Sequence, residues 1–199
     1  MKLTPEYVCR SITEQGSDYL TTLCRLHKPC NPTRGCSKEQ KYLVIDFDRV
    51  EADWHKRKKV PSKPSVDALA CDSQCLYFIE IKGWKQFLLK QKKLSLNKIQ
   101  KQVGRYDLQG KLIDSIFLCE EIAQTKKLLD YVSVVYVLVT DIDTHEDGLQ
   151  ALNQQLNWLA QTSSSWETVC NELLGQKLHA VENIRTKYIS CRVFDALFS

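Results

Sequence analysis

Runs of apolar residues along the chain predict a set of β-strands. The strongest is Tyr131 to Thr140, which is almost entirely β-branched or aromatic and therefore favours a central strand covered on both faces. Val66 to Ala70 and Leu76 to Ile81 surround the turn-like segment 71–74, a pattern typical of a β-hairpin. Lys41 to Val50 begins apolar and then alternates, so we expect a fourth strand there.

Apolar residues three and four positions apart predict helices elsewhere. We expect one bent helix or two short ones over 4–28, interrupted near Gly16, at least two helices between Trp84 and Asp130, and another over about 147–175. The tail from Tyr188 to Phe198 is a candidate edge strand. These elements follow one another as helix, three strands, helix, strand, helix and strand.

This order predicts an α/β fold of the α+β type, in which a central mixed sheet is flanked by helices. A chain of 199 residues is long enough for one domain and too short for two of ordinary size. We therefore expect a single domain over 1–199, with a core at about 40–140, a helical N-terminal segment 1–37, and a C-terminal helix and edge strand over 147–199. The stretch Glu51 to Ser65, which holds two prolines, is predicted to be an exposed connection.

The composition narrows the class of protein. With 43% apolar and 26% charged residues, and only 7 glycines and 5 prolines, the chain is neither disordered nor collagen-like. No apolar run approaches the ~20 residues that a bilayer span needs, and acidic residues stand near the N-terminus where a signal peptide would be apolar. We expect a cytoplasmic protein that does not contact a membrane, and whose nine cysteines are mostly reduced and buried.

Positive charge is concentrated in the middle of the chain. The net charge is +4, but the stretch from Lys56 to Arg105 holds thirteen basic residues against three acidic ones, which leaves −6 on the rest. A phosphate-backbone interface requires such a region, although lysines also solvate exposed helices. The candidate nucleic-acid-binding residues are Lys56, Arg57, Lys58, Lys59, Lys98, Lys101 and Arg105. Trp54 and Trp84 lie beside basic residues and are candidates for stacking on bases.

Two acidic residues and a lysine are predicted to converge at one end of the hairpin. Glu80 and Lys82 are two apart on one strand and leave it on the same face, and the preceding strand brings Asp67 alongside them. Two carboxylates form an oxygen site suited to Mg²⁺ or Mn²⁺. A neighbouring ammonium can orient or deprotonate an attacking water. By itself, a Glu-x-Lys pair is more often a salt bridge within a hairpin, so the pattern leaves both interpretations open.

Residues downstream favour the chemical interpretation. Gln102 and Tyr106 lie one turn apart on one face of the next predicted helix. Together with Asp67 and the segment EIKG at 80–83, they resemble the PD-(D/E)xK nuclease superfamily, in particular its RecB-like exonuclease and Cas4-like branch, over about residues 40–140. The resemblance implies a restriction-endonuclease-like core, in which an N-terminal helix, a three-stranded meander, a helix and a further strand follow one another.

The resemblance also implies a role for each matching residue. The implied metal ligands are Asp67, Glu80 and, through its carbonyl, Ile81; the implied catalytic lysine is Lys82; and the residues that would steady the site and the substrate strand are Gln102 and Tyr106.

The chain departs from the family pattern at several positions. Val66 stands where the family name has a proline. The family often adds an acid or a histidine from its first helix, and spacing does not choose between Glu14 and His27 for that role. The branch also carries an iron–sulfur cluster held by one early cysteine and a close C-terminal trio. Only Cys170 and Cys191 occur in this C-terminal region, so the cluster is not supported.

We therefore expect a Mg²⁺- or Mn²⁺-dependent deoxyribonuclease that acts on single- or double-stranded DNA in repair, recombination, mobile elements or antiviral defence. The sequence contains no recognisable helix-turn-helix, paired zinc finger or P-loop, so targeting would come from a protein partner or from loops that the motifs do not reveal. The main alternative is a catalytically inactive nuclease-fold module that binds nucleic acid or a protein. A third candidate is a haloacid-dehalogenase-like phosphatase, because Asp46 and Asp48 in VIDFDRV, with VTDID at 139–143, resemble the acidic motifs of that family.

Overall fold

The computed structural model describes residues 3–16, 18–26, 41–90, 94–142 and 163–198. The strands are β1 (Leu20–Thr22), β2 (Leu43–Asp46), β3 (Ala68–Cys71), β4 (Cys75–Lys82), β5 (Ser133–Thr140) and β6 (Arg185–Ser190). The helices are α1 (Pro5–Thr13), α2 (Leu23–Leu26), α3 (Phe47–Lys58), α4 (Lys85–Lys90), α5 (Leu96–Gly104), α6 (Leu108–Ile122), α7 (Leu128–Tyr131) and α8 (Ser163–His179), and a 3-10 helix covers Cys191–Phe198.

The strands form one mixed sheet in the order β1-β2-β3-β4-β5-β6. β1 to β4 pair antiparallel, whereas β4, β5 and β6 run parallel to one another. The connection from β4 to β5 contains α4 to α7, as a parallel pairing requires. The predicted mixed sheet flanked by helices is confirmed.

Two apolar layers hold the sheet. On one face, side chains such as Phe78 and Tyr136 pack under α1, α3, α5, α6 and α8. On the other face, a smaller layer that includes Tyr77 and Val137 is covered by α2 and by Phe194 of the 3-10 helix. Strands buried on both faces are expected to be apolar throughout, and this explains the composition of β5. Within the described ranges, no helix is long and apolar enough to cross a bilayer.

The predicted hairpin and the predicted central strand are both confirmed. β3 and β4 pair with Ala68 opposite Ile79 and Cys71 opposite Leu76, and β5 lies between β4 and β6. Helices between Trp84 and Asp130 are confirmed as well.

The prediction of a strand through Val50 is wrong, and the exposed connection predicted over Glu51 to Ser65 begins only after α3 ends at Lys58. The strand ends at Asp46, whose carboxylate accepts the backbone N–H of Arg49 at 3.1 Å and so caps a twelve-residue helix, α3. Phe47 and Val50 then lie one turn apart and are buried, which fixes the helix against the sheet. The basic cluster at 56–59 consequently ends a helix and is not part of a loop.

Two predictions at the chain ends also need correction. The N-terminal segment is not wholly helical, because β1 follows α1 and pairs with β2, with Leu20 opposite Ile45. The chain leaves α1 at Glu14, just before the predicted interruption at Gly16. The C-terminal edge strand exists, but it covers Arg185–Ser190, and the residues after it form the 3-10 helix. Of the helix predicted over 147–175, the part before residue 163 lies outside the described residues.

The turn between β3 and β4 is held by one carboxylate. Asp72 accepts the backbone N–H groups of Gln74 and Cys75 at 2.7 Å each, and the hydroxyl of Tyr77 donates to it at 2.6 Å. Burial alone would raise the pKa of Asp72, but these hydrogen bonds outweigh burial and hold the pKa below its usual range. This turn sets the register of the hairpin.

Replacing Asp72 by alanine is expected to lower the free energy of unfolding by about 1–2 kcal/mol at neutral pH, because the hydrogen bonds are lost. The folded-state pKa is depressed, so this stabilisation is present above the unfolded pKa and disappears as the pH falls through the folded pKa. Urea denaturation of the wild type and of Asp72→Ala from neutral to acid pH measures the difference, which should shrink on acidification. The exposed Asp130→Ala is the control, and an Asp72→Ala difference no larger than the control would contradict the prediction.

Candidate active site

Asp67 and Glu80 lie opposite each other at one edge of the sheet. Because Ala68 pairs with Ile79, the same register places Asp67 across from Glu80, and both side chains leave the face that carries the larger apolar layer. The backbone N–H of Ile81 donates to Asp67 Oδ2 at 2.5 Å, which fixes the orientation of this carboxylate. The predicted convergence of the two acids is confirmed.

Glu80 is completely buried and is held by two lysines. Lys82 Nζ donates to Glu80 Oε1. Lys111 Nζ, from α6, donates to Oε1 at 2.9 Å and to Oε2 at 3.2 Å. The same ammonium lies 3.9 Å from Asp67 Oδ1. Two carboxylates and two ammonium groups therefore form one compact cluster of charges.

This environment shifts the pKa values of Asp67 and Lys111. Burial, followed by the negative charge of Glu80, raises the pKa of Asp67 to about 6, although Lys82, the Ile81 amide and Lys111 act in the opposite direction. Burial lowers the pKa of Lys111, but the charge of Glu80 and its hydrogen bond outweigh burial and raise the pKa above its usual value. Lys111 is therefore charged at neutral pH, and the cluster favours a positive charge between the two carboxylates.

Tyr106 lies beside the cluster, and Gln102 of α5 contacts this tyrosine. The prediction that both residues lie on one face of one helix is wrong at Tyr106, because α5 ends at Gly104 and Tyr106 follows the C-cap residue Arg105. Gln102 Nε2 donates to Tyr106 Oη at 3.4 Å. The ring of Tyr106 lies under the ammonium of Lys82, whose Nζ is 5.0 Å from the ring centroid. Burial raises the pKa of Tyr106, so its hydroxyl stays protonated at neutral pH. The structure thus brings together all five predicted catalytic residues, with Tyr106 positioning Lys82.

Sequence reasoning missed Lys111 and Tyr136. Lys111 lies one turn before the buried Ser115 and three residues after the buried Leu108, so it is a cation on the core-facing side of α6. The signal that could have identified Lys111 was its helical spacing from positions that are buried. The apolar residues Ile113 and Phe117 indicated a different buried face of α6, but they are 41% and 55% exposed.

Tyr136 is the second missed residue. It pairs with Phe78 across β4 and β5, and so lies on the same face as Glu80, one position deeper in the sheet. Burial, reinforced by the charges of Glu80 and Asp67, raises the pKa of Tyr136. Among the described residues its hydroxyl has no hydrogen-bond partner. A buried hydroxyl in this position is suited to bind a water molecule beside the carboxylates.

Several predicted residues lie elsewhere. Glu14 is exposed at the end of α1, and its carboxylate makes no hydrogen bond or ion pair with a described residue. His27 lies outside the described residues. Trp84 is fully buried, so it packs in the core and is not a stacking platform. Trp54 donates from Nε1 to Glu121 Oε2 at 3.2 Å and is packed against the core.

The acids that suggested a phosphatase make local structural bonds. Asp46 caps α3, and Asp48 Oδ1 accepts the hydroxyl of Ser65 at 2.6 Å. Asp141 Oδ1 accepts the backbone N–H of Trp84 at 2.6 Å and so fixes the start of α4. No observation in the described part of the chain favours the phosphatase over the nuclease.

The donor set at Asp67 and Glu80 fits a hard divalent cation. The two carboxylates share one face, and Lys111 already places a positive charge between them. The carbonyl of Ile81, next to Glu80 in the chain, completes the set that the resemblance implies. Within the described ranges, no group of three or more His, Cys, Asp and Glu side chains converges.

Comparison of the chain with family models, with curated proteins and with solved structures gave no match. The function must therefore be inferred from the site itself.

Replacing the buried Glu80 by leucine leaves two ammonium groups facing each other without their shared partner. We expect the free energy of unfolding to fall by about 3 kcal/mol, because a charge cluster is destabilised when one member is removed. The quadruple variant Asp67→Asn, Glu80→Leu, Lys82→Met, Lys111→Met should recover most of this stability, since no member of the cluster is then left as an unpaired charge. Urea denaturation measures both, and a quadruple variant less stable than Glu80→Leu would refute this account.

Proposed function

We propose that this protein is a divalent-metal-dependent nuclease that hydrolyses phosphodiester bonds in DNA. The observation that carries the proposal is the cluster at the end of β4, where Asp67 and Glu80 face each other beside the ammonium groups of Lys82 and Lys111. A core of this size needs no such cluster for stability, because an apolar substitute is often as stable. The resemblance to PD-(D/E)xK nucleases supports the same assignment.

Each side chain has a distinct role in this proposal. Asp67 and Glu80, with the carbonyl of Ile81, would hold Mg²⁺ or Mn²⁺, and such an ion, when bound, supplies charge stabilisation to the phosphate and acidifies a bound water. Lys82, whose side chain is 17% exposed, donates a hydrogen bond to the attacking water or to a phosphate oxygen. Tyr106 holds the Lys82 ammonium in place, and Lys111 fixes the orientation of the Glu80 carboxylate.

The substrate strand is proposed to lie along α5. Lys98, Lys101 and Arg105 are exposed, and they follow one stripe of α5 at intervals of three and four residues. Ile99 and Val103 anchor the opposite side of this helix in the core. Because Tyr106 follows the C-cap of this helix and lies beside Lys82, phosphates bound along the stripe would lead a strand towards Lys82.

One feature favours the second candidate, an inactive nuclease-fold module. The two ammonium groups already balance the charges of Asp67 and Glu80, so the cluster is neutral without a metal ion. Such a module would bind nucleic acid or a protein partner without hydrolysis. The two candidates differ in whether any substrate is cleaved when Mg²⁺ or Mn²⁺ is supplied.

Replacing Lys82 by methionine should lower the rate of DNA cleavage by about 10²-fold or more, because a charge that stabilises the transition state is removed while the aliphatic stem is kept. The matched control is Lys187→Met, a lysine exposed on the far edge strand β6. Initial rates are measured with Mg²⁺ and with Mn²⁺ on linear, circular, single-stranded and branched DNA, and on RNA.

Circular dichroism establishes that both variants are folded. Cleavage by Lys82→Met at the wild-type rate would overturn the mechanism. If the wild type binds nucleic acid and cleaves none of these substrates, the inactive module is the better assignment.

The stripe on α5 can be tested separately from catalysis. Replacing Lys98, Lys101 and Arg105 by glutamine should weaken binding to all sequences about equally, because phosphate contacts carry no base information. The slope of log affinity against log salt should become shallower by roughly 0.7–0.9 for each cation that no longer meets a phosphate. Fluorescence anisotropy in Ca²⁺ follows binding without turnover.

The control for this experiment removes three lysines outside the positive middle of the chain: Lys126, Lys177 and Lys187. This variant should retain the wild-type slope, since its charge change is the same and its location is different. If the salt slope changed equally in both triple variants, binding would depend only on net charge, and the stripe on α5 would not be part of the interface.

A further inference from the structure

A second polar cleft lies between the end of α1 and one side of α3. Its volume is about 610 Å³, within the range of sites that bind small molecules. The lining residues are Gln15, Gly16, Asp18, Tyr19, Arg49, Asp53, Lys56 and Arg57. None of them belongs to the active site, and the lining residues of α3 leave that helix on a different side from Asp48, which faces the loop before β3.

Arg49 is held in a fixed position at one end of the cleft. Its Nη1 donates to the backbone carbonyl of Asp18 at 2.9 Å, and its guanidinium lies 5.8 Å from the centre of the Tyr19 ring. Its Nη2 is 3.8 Å from the exposed carboxylate of Asp18. A guanidinium carries five N–H donors, so a single bond to a carbonyl anchors it and leaves capacity for a ligand.

Arg57 is held in the same manner at the other end. Its Nη1 donates to the carbonyl of Gln15 at 3.2 Å, and its guanidinium lies 5.7 Å from the centre of the Trp54 ring. Eight residues separate Arg49 and Arg57, which corresponds to about 12 Å along the helix. Both guanidinium groups are therefore held in place before a ligand binds, and this reduces the loss of side-chain entropy on binding.

Directly before Arg57 on the helix, Lys56 adds a third positive charge. Its ammonium makes no hydrogen bond or ion pair with a described residue. The negative charge of Asp53 faces the hydroxyl of Tyr19, which donates to it at 3.1 Å. Gly16 lets the Tyr19 ring approach, since a Cβ there would lie 2.8 Å from the ring. The cleft thus has a rigid floor and three cations on one helical face.

We propose that this cleft binds phosphate groups of a nucleotide or of a nucleic-acid strand, separately from the active site, with Arg49 at one end and Lys56 and Arg57 at the other. The planar guanidinium of an arginine can donate two parallel hydrogen bonds to two oxygens of one phosphate. The volume is sufficient for a nucleotide, and the carboxylate of Asp53 offers an acceptor for its sugar or base. The proposal is independent of hydrolysis at Asp67 and Glu80.

Amide resonances in two-dimensional NMR spectra locate binding directly. The probes are inorganic phosphate, adenosine 5′-monophosphate, adenosine and a short single-stranded oligonucleotide, each titrated without divalent ions so that no cleavage occurs. We expect saturable shifts at Gly16 and Asp53 with the phosphorylated probes and none with adenosine. Shifts from the mononucleotide identify a small ligand, and shifts from the oligonucleotide alone identify a strand; both support the site.

Variants assign the effect to the cations. Arg49→Gln with Arg57→Gln should weaken binding at least tenfold, whereas the control Arg10→Gln with Lys187→Gln, which removes two exposed charges elsewhere, should not. Lys56→Gln, which breaks no bond of the described fold, should weaken binding even if the double variant fails to fold. The proposal is overturned if adenosine binds as well as its monophosphate, if no probe shifts Gly16, or if the control loses as much affinity as the arginine variant. Shifts confined to Ile81 and its neighbours would likewise overturn it, since binding would then lie in the active site.

Discussion

The buried carboxylate of Glu80 is the constraint on which the site depends. A charge with no exposed surface is tolerated only where ionic partners replace the lost water, and Lys82 and Lys111 provide them. Satisfying this one group requires the hairpin register, the position of α6 and the path of α5 to be correct together. A slip of one residue in β4 would turn Glu80 to the opposite face of the sheet and leave both lysines without their partner. The active site and the core are thus specified by the same packing.

The part of the site that sequence reasoning found is the part encoded locally. Asp67, Glu80 and Lys82 belong to one hairpin, whose alternation and turn residues determine which side chains share a face. Gln102 and Tyr106 are four residues apart around the C-terminal end of α5, so their proximity is also local. Lys111 could not be found this way, because its position depends on the rotation of α6 about its own axis. That rotation is set by packing against α1 and β4, and the apolar residues of α6 are too numerous to indicate one face.

The misassignment of α3 has a comparable cause. The sequence from Ile45 to Val50 alternates like a strand over a few residues, and only the cap formed by Asp46 ends the strand. Phe47, Val50 and Trp54 are spaced three and four residues apart and so lie on one face of a helix. In a β-strand, the same spacing would place Phe47 on one face and the other two residues on the opposite face. As a result, the basic residues 56–58, which the sequence pattern assigned to a loop, lie in the last turn of a helix. Arg49 lies on the same helix, although it is remote from the basic cluster in the sequence.

The change from antiparallel to parallel pairing at β4 divides the surroundings of the cluster into a closed side and an exposed side. Lys82, Thr140 and Ser190 are aligned across β4, β5 and β6. On the parallel side of β4 this row is closed, because Thr140 and Ser190 are buried. On the antiparallel side, the side chains of Asp67 and Lys111 keep 22% and 25% of their surface exposed. Among the described residues, the exposed part of the cluster therefore lies on the β3 and α6 side of β4, and under the proposed function a polymer would meet the carboxylates from that side.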